Sequence, residues 1–456
     1  MINNFSKSYR QHPHRIRDLI RVQFLIFLKN YIFALQTPRE ASSDMEQQDT
    51  TFFEDLHRPE LSGVAYKNIQ LKKRILTQFA NEGNTTLTDL SKTLNISIPK
   101  TNELVNGLIA DGLAKDYGKT GAGVGRKPNL YGLEPDSAFF VGVEVKNFYI
   151  NIGLMDFKRN LIKVSMGIPY LLNNTQESLN KLCTVIDEFI QSSSVQREKI
   201  LGIGVNLSGR INYTTGYSYS FFNFHEDPLS KIIESAVGIH TYLENDSRAM
   251  AYGEFCSGGV KDEKNVLFVN LDHGIGMGIM VNGQLYYGKS GFAGELGHIP
   301  VFGNEILCHC GKKGCLETEA SGQAITRLFK EKINQGATSI VTNRRPNPDD
   351  IKLDDIIKAA NNDDTLAIEI ITEAGEKIGK GMATLVNLFN PELIILGGSL
   401  ATTGDYIKLP IKSGLNKYSL SLVNNDTHLS ISQLGNKAGI IGACLLVRDR
   451  LLAITS

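Results

Sequence analysis

The order of apolar and polar residues predicts a small helical unit early in the chain. Apolar residues recur at helical spacing in segments 66–83 and 85–95, which predicts two short helices. Ser97 is a natural N-cap for a third helix, whose apolar face includes Leu104 and Leu108. Two short strands around a glycine-rich tip follow. Three helices with a brief turn before the third, and then a hairpin, predict a winged helix-turn-helix.

From Ala138 onward the pattern changes to buried strands that alternate with helices. Segment 139–157 predicts two strands joined by a turn, and segment 265–288 repeats this strand-turn-strand character. Each of these β-rich openings is followed by helices, and those after the second include the stretch 365–390. Two similar openings predict an α/β body of two related lobes with a cleft between them.

The length of 456 residues is too great for one compact core. We expect a poorly ordered N-terminal extension over 1–60, a winged helix-turn-helix domain over 61–133 and a two-lobed body over 134–456. The apolar run 22–28 is too short and too interrupted to span a bilayer, and no convincing signal-peptide cleavage site follows it. Met45 is a possible alternative start. We assign the extension no function and expect a cytoplasmic protein without membrane association.

Charge is neutral over the whole chain but uneven along it. The 48 basic and 48 acidic residues balance, so no global field attracts nucleic acid or membrane. From Tyr66 to Leu130, however, ten lysines and arginines stand against five acids, a local net charge of +5. A basic winged helix is typical of DNA binding, whereas a helical linker with a hairpin is the alternative. The candidate contacts to bases and phosphates are Ser97, Lys100, Thr101 and Asn102 in the third helix and Lys119, Arg126 and Lys127 in the wing.

A cluster of cysteines indicates a metal site. Cys308, Cys310 and Cys315 lie within eight residues, and His298 precedes them. One imidazole and three thiolates make the complete tetrahedral shell of a structural zinc site. His309 is an alternative nitrogen ligand, although its position between two ligating cysteines makes that geometry awkward. A disulfide is less favoured because nothing in the sequence indicates an oxidising compartment.

Polar residues at the predicted cleft suit a ligand rich in hydroxyl groups. Asn245 and Asp246 follow a short strand, and Glu295, His298 and Glu317 flank the cysteine segment. Amides and carboxylates match sugar hydroxyls, because each hydroxyl both donates and accepts hydrogen bonds. The alternative is that these carboxylates lie on solvated loops without a ligand, as isolated carboxylates commonly do.

Three segments carry a family resemblance: ENDSRAMAYGE at 244–254, GELGHI at 294–299 and CHCGKKGCLE at 308–317. In order and spacing they resemble the ROK family (repressors, open reading frames and kinases), and the chain is similar to its N-acetylglucosamine- and xylose-type sugar repressors. The resemblance covers nearly all of residues 66–456. It implies an actin-like and sugar-kinase-like body of the ribonuclease H-like type, with zinc beside a sugar pocket. The pocket residues that it implies are Gly209, Arg210, Asn245, Asp246, Glu295, His298 and Glu317.

The two turns that hold ATP phosphates in kinases of this family are altered here. The Asp-x-Gly-Gly-Thr turn corresponds to EVKNF at 144–148, and the Asp-x-Gly-Thr-Gly turn corresponds to DHGIG at 272–276. Close approach of a backbone to phosphate tolerates little beyond glycine. The pair Gly397-Gly398 of the adenosine side is retained, although a tight turn alone would also explain it. Asp246 matches the catalytic base, but without nucleotide positioning we expect no kinase activity.

The sequence therefore predicts a sugar-responsive DNA-binding transcriptional regulator, a repressor of carbohydrate uptake or catabolism genes. One winged helix reads few base pairs, so we expect a homodimer or homotetramer on a repeated double-stranded operator. Sugar binding between the lobes is expected to shift the population of the DNA-binding form. The alternative function is an ATP-dependent sugar kinase with Asp246 as its base, and a zinc-stabilised scaffold without a ligand is a third, less favoured hypothesis.

Overall fold

The computed structural model describes Phe52 and residues 63–119 and 128–452. The first part forms a unit that we call the head, residues 63–133. Its elements are α1 (Gly63–Glu82), α2 (Leu87–Leu94), α3 (Ile98–Ala110), β1 (Ala114–Lys119) and β2 (Asn129–Leu133). The strands pair in antiparallel fashion. The three predicted helices and the two predicted strands are therefore present.

Local signals set the boundary between α2 and α3. The Thr86 hydroxyl accepts a hydrogen bond from the Asp89 backbone N–H at 3.2 Å and caps the start of α2. Asn95 ends this helix in the left-handed region, with φ 55°. The Ser97 hydroxyl then accepts from the Lys100 N–H at 3.4 Å and caps α3, as predicted.

The first lobe is built on a five-stranded sheet of order β5-β4-β3-β6-β9. Antiparallel pairing joins β3 to β4 and β4 to β5, and parallel pairing joins β3 to β6 and β6 to β9. The elements of this lobe are β3 (Phe139–Val145), β4 (Tyr149–Asp156), β5 (Leu161–Pro169), α4 (Gln176–Gln191), β6 (Ile200–Leu207), β7 (Ile211–Asn212), β8 (Tyr217–Ser218), α5 (Leu229–Val237) and β9 (Thr241–Asn245).

Helix α6 (Asp246–Ser257) leads into the second lobe, whose sheet has the order β12-β11-β10-β13-β14. Here β10 pairs with β11 in antiparallel and with β13 in parallel fashion, so the second sheet resembles the first. The elements of this lobe are β10 (Val266–Leu271), β11 (Ile275–Val281), β12 (Gln284–Leu285), α7 (Glu317–Ala320), α8 (Gly322–Asn334), α9 (Leu353–Ala360), α10 (Thr365–Phe389), β13 (Leu393–Gly397), α11 (Asp405–Tyr418), α12 (Ser421–Asn425) and β14 (His428–Ile431).

The last helix, α13 (Ala438–Leu451), returns to the first lobe and packs against α6. The two helices approach so closely that a Cβ at Gly442 would lie 1.7 Å from the Ala249 carbonyl oxygen, and only glycine fits there. Residues of β3 alternate between two cores, with Phe140 directed to the α13 side and Val141 to the α4 side. Both sheets thus cover the α6–α13 pair with one face and their own helices with the other, which is the expected two-lobed α/β body.

The apolar core of the head continues into the body. Phe79 and Leu133 of the head belong to the same buried cluster as Phe140 and Leu452 of the body. The turn after β4 adds a polar contact, because the Arg159 guanidinium donates to the Ala80 carbonyl at 2.9 Å. In the described part of the chain, no helix combines the length and the apolar character needed to cross a bilayer. The apolar run 22–28 lies outside that part.

Candidate functional site

A cleft of about 1150 Å³ opens between the lobes. It lies at the carboxyl ends of β3, β6, β9 and β10, the edge at which α/β sheets bind ligands. All of the predicted sugar-binding residues line it, although they come from segments far apart in the sequence: Gly209, Arg210, Asn245, Asp246, Glu295, His298 and Glu317. The structure therefore brings the whole predicted set to one cavity.

Asn245 and Asp246 lie where β9 ends and α6 begins. The Asn245 side-chain oxygen accepts from the Arg248 N–H at 3.1 Å and caps α6, and its amide donates to the Gly209 carbonyl at 3.0 Å. One Asp246 oxygen accepts from the Ser247 N–H at 2.7 Å. Asp246 is buried but borders the cleft, so its second carboxylate oxygen can accept from a ligand hydroxyl.

The Gly209–Arg210 segment is fixed by the loop that carries Ser220. Gly209 has φ 93°, and a Cβ on it would lie 2.3 Å from the Ser220 hydroxyl, so a larger residue would displace the loop. That hydroxyl accepts from the Arg210 N–H at 3.0 Å. The Arg210 side chain itself is exposed at the edge of the cleft. Gly209 is thus the more constrained of the two residues.

A buried network that was not predicted from the sequence lies behind Asn245 and Asp246. The Glu244 carboxylate accepts from Arg248 Nε and from Arg450 Nη2, both at 2.7 Å, and from the Tyr287 hydroxyl at 3.1 Å. Burial raises the pKa of Glu244, but the two arginines outweigh it and hold that pKa below its ordinary value. The i, i+4 spacing of Glu244 and Arg248 was a readable signal, whereas Arg450 lies at the far end of the chain.

The cysteine segment folds back so that its predicted ligands meet. One donor atom from each of His298, Cys308, Cys310 and Cys315 lies within 4.8 Å of the others, and this group can hold a metal ion. Cys310 Sγ is 3.7 Å from Cys315 Sγ, and Cys308 Sγ is 3.5 Å from His298 Nδ1. Zinc bonds of about 2.3 Å to sulfur and about 2.0 Å to nitrogen put tetrahedral ligand atoms about 3.5–3.8 Å apart. The donor set and both distances therefore fit tetrahedral zinc.

Glu317 connects this group to the cleft. Its Oε1 accepts from the Cys308 thiol at 3.0 Å and lies 3.0 Å from Nδ1 of His309. Burial and this carboxylate raise the pKa of the Cys308 thiol, and a bound metal would displace its proton. His309 is largely exposed and lies 3.9 Å from Cys308 Sγ. A second possible ligand group consists of His298, His309 and Glu317.

The two turns that the sequence resemblance matched to kinase phosphate loops both line the cleft. Lys146 Nζ of the first turn lies 3.1 Å from Asp272 Oδ2 of the second, and Phe148 is exposed. Gly398 has φ 82°, and a Cβ there would lie 2.4 Å from the Leu271 carbonyl oxygen. Packing alone therefore requires this glycine, so its presence does not indicate a nucleotide site.

The start of α3 presents some of the predicted DNA contacts to solvent. Ser97 and Asn102 are exposed, and Lys100 is half-buried with its ammonium 2.6 Å from Glu103. Lys119 is exposed at the end of β1. The remaining wing candidates, Arg126 and Lys127, lie outside the described residues.

The prediction that Thr101 faces DNA is wrong. Its side chain is fully buried, and its hydroxyl donates to the Ser97 carbonyl at 3.1 Å. Thr101 shares the buried face of α3 with Leu104, Val105 and Leu108, which follow it by three, four and seven residues. Helical phase, not side-chain chemistry, decides the direction in which this residue points.

Comparison with known proteins places this geometry in a family. A model of the ROK family matches residues 140–450. The putative xylose repressor of Caldicellulosiruptor sp. (strain Rt8B.4) is 29% identical over 80% of this chain and 92% of its own length. A ROK family transcriptional regulator described as a homolog of the E. coli MLC protein superposes with a TM-score of 0.71 at 27% identity, covering 85% of this chain and 99% of its own. A ROK family glucokinase from Streptomyces griseus, solved with glucose and AMPPNP, gives a TM-score of 0.60 at 26% identity, covering 68% of this chain and 99% of its own. Because the family model spans most of the sequence, the chain belongs to the ROK family.

Proposed function

We propose that this protein is a transcriptional repressor whose effector, a small sugar, binds in the interlobe cleft. The main support is that one chain combines a basic head with a cleft lined by all seven predicted sugar-binding residues. A cleft alone would suit a kinase, and a head alone would suit any DNA-binding protein. Together in one chain they are typical of a ligand-controlled regulator.

The relatives support this interpretation through the extent of their match. The MLC-like regulator covers 85% of this chain, and the glucokinase covers 68%. The family model begins at residue 140, after the head. The additional part of this chain that the regulator covers, relative to the glucokinase, is about as long as the head. One relative is named for xylose repression, which makes D-xylose the first sugar to test.

In the sugar-bound form, both lobes contact the ligand. Asn245 and Asp246 offer acceptors and a donor from the first lobe, and Glu295, His298 and Glu317 do so from the second. A ligand held by both lobes favours the arrangement in which they lie close together. It changes DNA binding only through its difference in affinity between the two arrangements, typically about 1–3 kcal/mol.

Zinc is the metal that fits the group of one imidazole and three thiols, and its role would be structural. His298, Cys308, Cys310 and Cys315 would hold it, which completes a tetrahedral shell without an open position. The bound ion supplies rigidity to the segment that carries Glu317. Loss of the ion would therefore weaken sugar binding as well as folding.

DNA binding would use the exposed start of α3 and the wing. Ser97, Lys100 and Asn102 occupy the end of the helix that reads a major groove in winged helices. Lys119, with Arg126 and Lys127 from the sequence, would contact phosphates. A homodimer or homotetramer would place two heads on a repeated operator, because one head reads too few base pairs for specificity.

A sugar kinase is the second candidate, favoured by the position of Asp246 in the cleft and by the similarity to a ROK family glucokinase. The first phosphate turn opposes it, since Lys146 and Phe148 stand where close backbone approach to phosphate would require small residues. Asp246 serves equally well as an acceptor for a sugar that is bound and released unchanged.

The test is DNA binding by the full chain with and without sugar. Purified protein is incubated with sheared genomic DNA, and the retained fragments are sequenced. Anisotropy on a retained fragment then measures the effect of D-xylose and D-glucose on the Kd for DNA. We expect a sugar to change that Kd by at least fivefold, with no sugar phosphate formed when ATP is added. Phosphoryl transfer without selective DNA retention would instead establish the kinase.

A further inference from the structure

An ion pair joins the two lobes on the side of the cleft that corresponds to the kinase phosphate turns. Lys146 directly follows β3 of the first lobe, and Asp272 directly follows β10 of the second. Lys146 Nζ lies 3.1 Å from Asp272 Oδ2 and 3.2 Å from Glu144 Oε1. One ammonium thus contacts a carboxylate from each lobe.

Both carboxylates are held firmly by their own lobes. Glu144 is buried, and its other oxygen accepts from the Asn151 amide at 2.7 Å. Asp272 Oδ1 accepts from the Ser399 hydroxyl at 2.8 Å. The lysine side chain is 14% exposed, so solvent screens this contact far less than it screens a surface ion pair. Both carboxylates are thus fixed within their own lobes, and the Lys146 ammonium is the group that connects them.

The ammonium also offsets repulsion at this point of the cleft. Burial lowers the pKa of Lys146, but the carboxylates of Glu144, Asp272 and Asp246 outweigh it and hold the pKa well above its ordinary value. Without the ammonium, Glu144 and Asp272 would face each other as unpaired negative groups from opposite lobes. That repulsion favours a wider cleft.

We propose that Lys146 is a positioning residue for sugar binding, because its ion pair with Asp272 holds the two lobes together. In a kinase of this family, a nucleotide would lie between the lobes at this place. The proposal rests on the proposed binding of a sugar between the lobes. Asn245 and Asp246 contact the ligand from one lobe, and Glu295 and Glu317 contact it from the other. The apparent affinity for sugar is the intrinsic affinity multiplied by the fraction of molecules in which all four residues can contact the sugar at once. Lys146 raises that fraction.

The experiment uses the full chain with substitutions at both ends of the pair. Lys146→Met removes the ammonium, Asp272→Asn removes the partner in the second lobe, and Lys146→Arg keeps the positive charge. Lys330→Met is the matched control, because Lys330 lines the same cleft but makes no contact between the lobes through this bond. Its ammonium donates to the backbone carbonyl of Asp349, in its own lobe, at 2.8 Å. Calorimetry with D-xylose and D-glucose gives Kd, and X-ray scattering without sugar gives the radius of gyration.

We expect Lys146→Met and Asp272→Asn each to raise the sugar Kd on the order of tenfold and to increase the radius of gyration. The double variant should show less than the sum of the two effects, because both remove one interaction. Lys146→Arg and Lys330→Met should remain close to the unsubstituted protein.

A radius of gyration and a Kd that are unchanged in Lys146→Met and Asp272→Asn would overturn the proposal, as would purely additive effects. If Lys146→Met does not fold, Asp272→Asn tests the same pair from the other lobe. A protein that binds neither sugar would count against the proposed function, while the scattering comparison would still test the ion pair on its own.

Discussion

The guanidinium of Arg450 lies 2.7 Å from the carboxylate of Glu244, the residue that immediately precedes Asn245 and Asp246. Arg450 belongs to the last helix, and Glu244 to the last strand of the first sheet. The contact therefore ties the end of the chain to the strand that presents two candidate sugar ligands. Arg248 engages the other oxygen of the same carboxylate.

Loss of the Arg450 guanidinium should destabilise the body. Arg450→Met leaves Glu244 buried with one cation in place of two, at a cost on the order of 3 kcal/mol. Urea unfolding measures this, and Arg450→Lys is the control that keeps the charge but loses the planar fork. We expect the lysine variant to unfold between the wild type and the methionine variant. Equal urea midpoints for all three proteins would show that this contact adds nothing to stability.

The same network predicts a dependence of stability on pH. The pKa of Glu244 is lowered in the folded protein from an ordinary value of 4.5. Its contribution to stability is therefore complete above about pH 4.5 and is lost as the pH falls through the folded-state pKa. The difference in thermal midpoint between the wild type and Glu244→Gln should accordingly shrink below that pH. A difference that stays constant from pH 7 down to pH 3 would contradict this assignment.

Replacement of two cysteines should remove the metal. Cys310→Ser combined with Cys315→Ser leaves two of the four ligand atoms, so bound zinc should fall from about one per chain to near zero. Sugar affinity should fall with it, because Glu317 loses its rigid support. Elemental analysis and calorimetry measure the two effects, with Cys183→Ser as the control for a cysteine outside the cluster. Full zinc content in the double variant would reject these ligands.

Two neighbouring residues of α3 should respond in opposite ways. Asn102 is exposed and Thr101 is buried. Asn102→Ala should weaken specific DNA binding by about 1–3 kcal/mol without changing the thermal midpoint. Thr101→Ala should instead lower the thermal midpoint, because it leaves a small cavity and removes the bond to Ser97. The reverse pattern would mean that the other face of α3 meets the DNA.

Features whose cause lies within a few residues could be predicted from sequence. The start of α3 was predicted from Ser97, which caps an adjacent backbone group, and Thr86 and Asn95 bound α2 by equally local contacts. The ligand group was readable because Cys308, Cys310 and Cys315 are close in the chain. Thr101 was misplaced because its side-chain chemistry was weighed without the helical phase set by Leu104 and Leu108.

Contacts between distant segments could not be predicted in the same way. Lys146 and Asp272 are 126 residues apart, and Glu244 and Arg450 are 206 apart. Each pair forms only because the two lobes and the final helix pack as they do. The sequence gives no local sign that these particular charges face each other.

Thermodynamic reciprocity tests the central claim most directly. If sugar and DNA bind to two coupled sites of one protein, each must change the affinity for the other by the same factor. Anisotropy should show that sugar changes the DNA Kd by at least about fivefold. Calorimetry should then show that operator DNA changes the sugar Kd by the same factor. A sugar Kd that is identical in the presence and absence of saturating DNA would contradict the account.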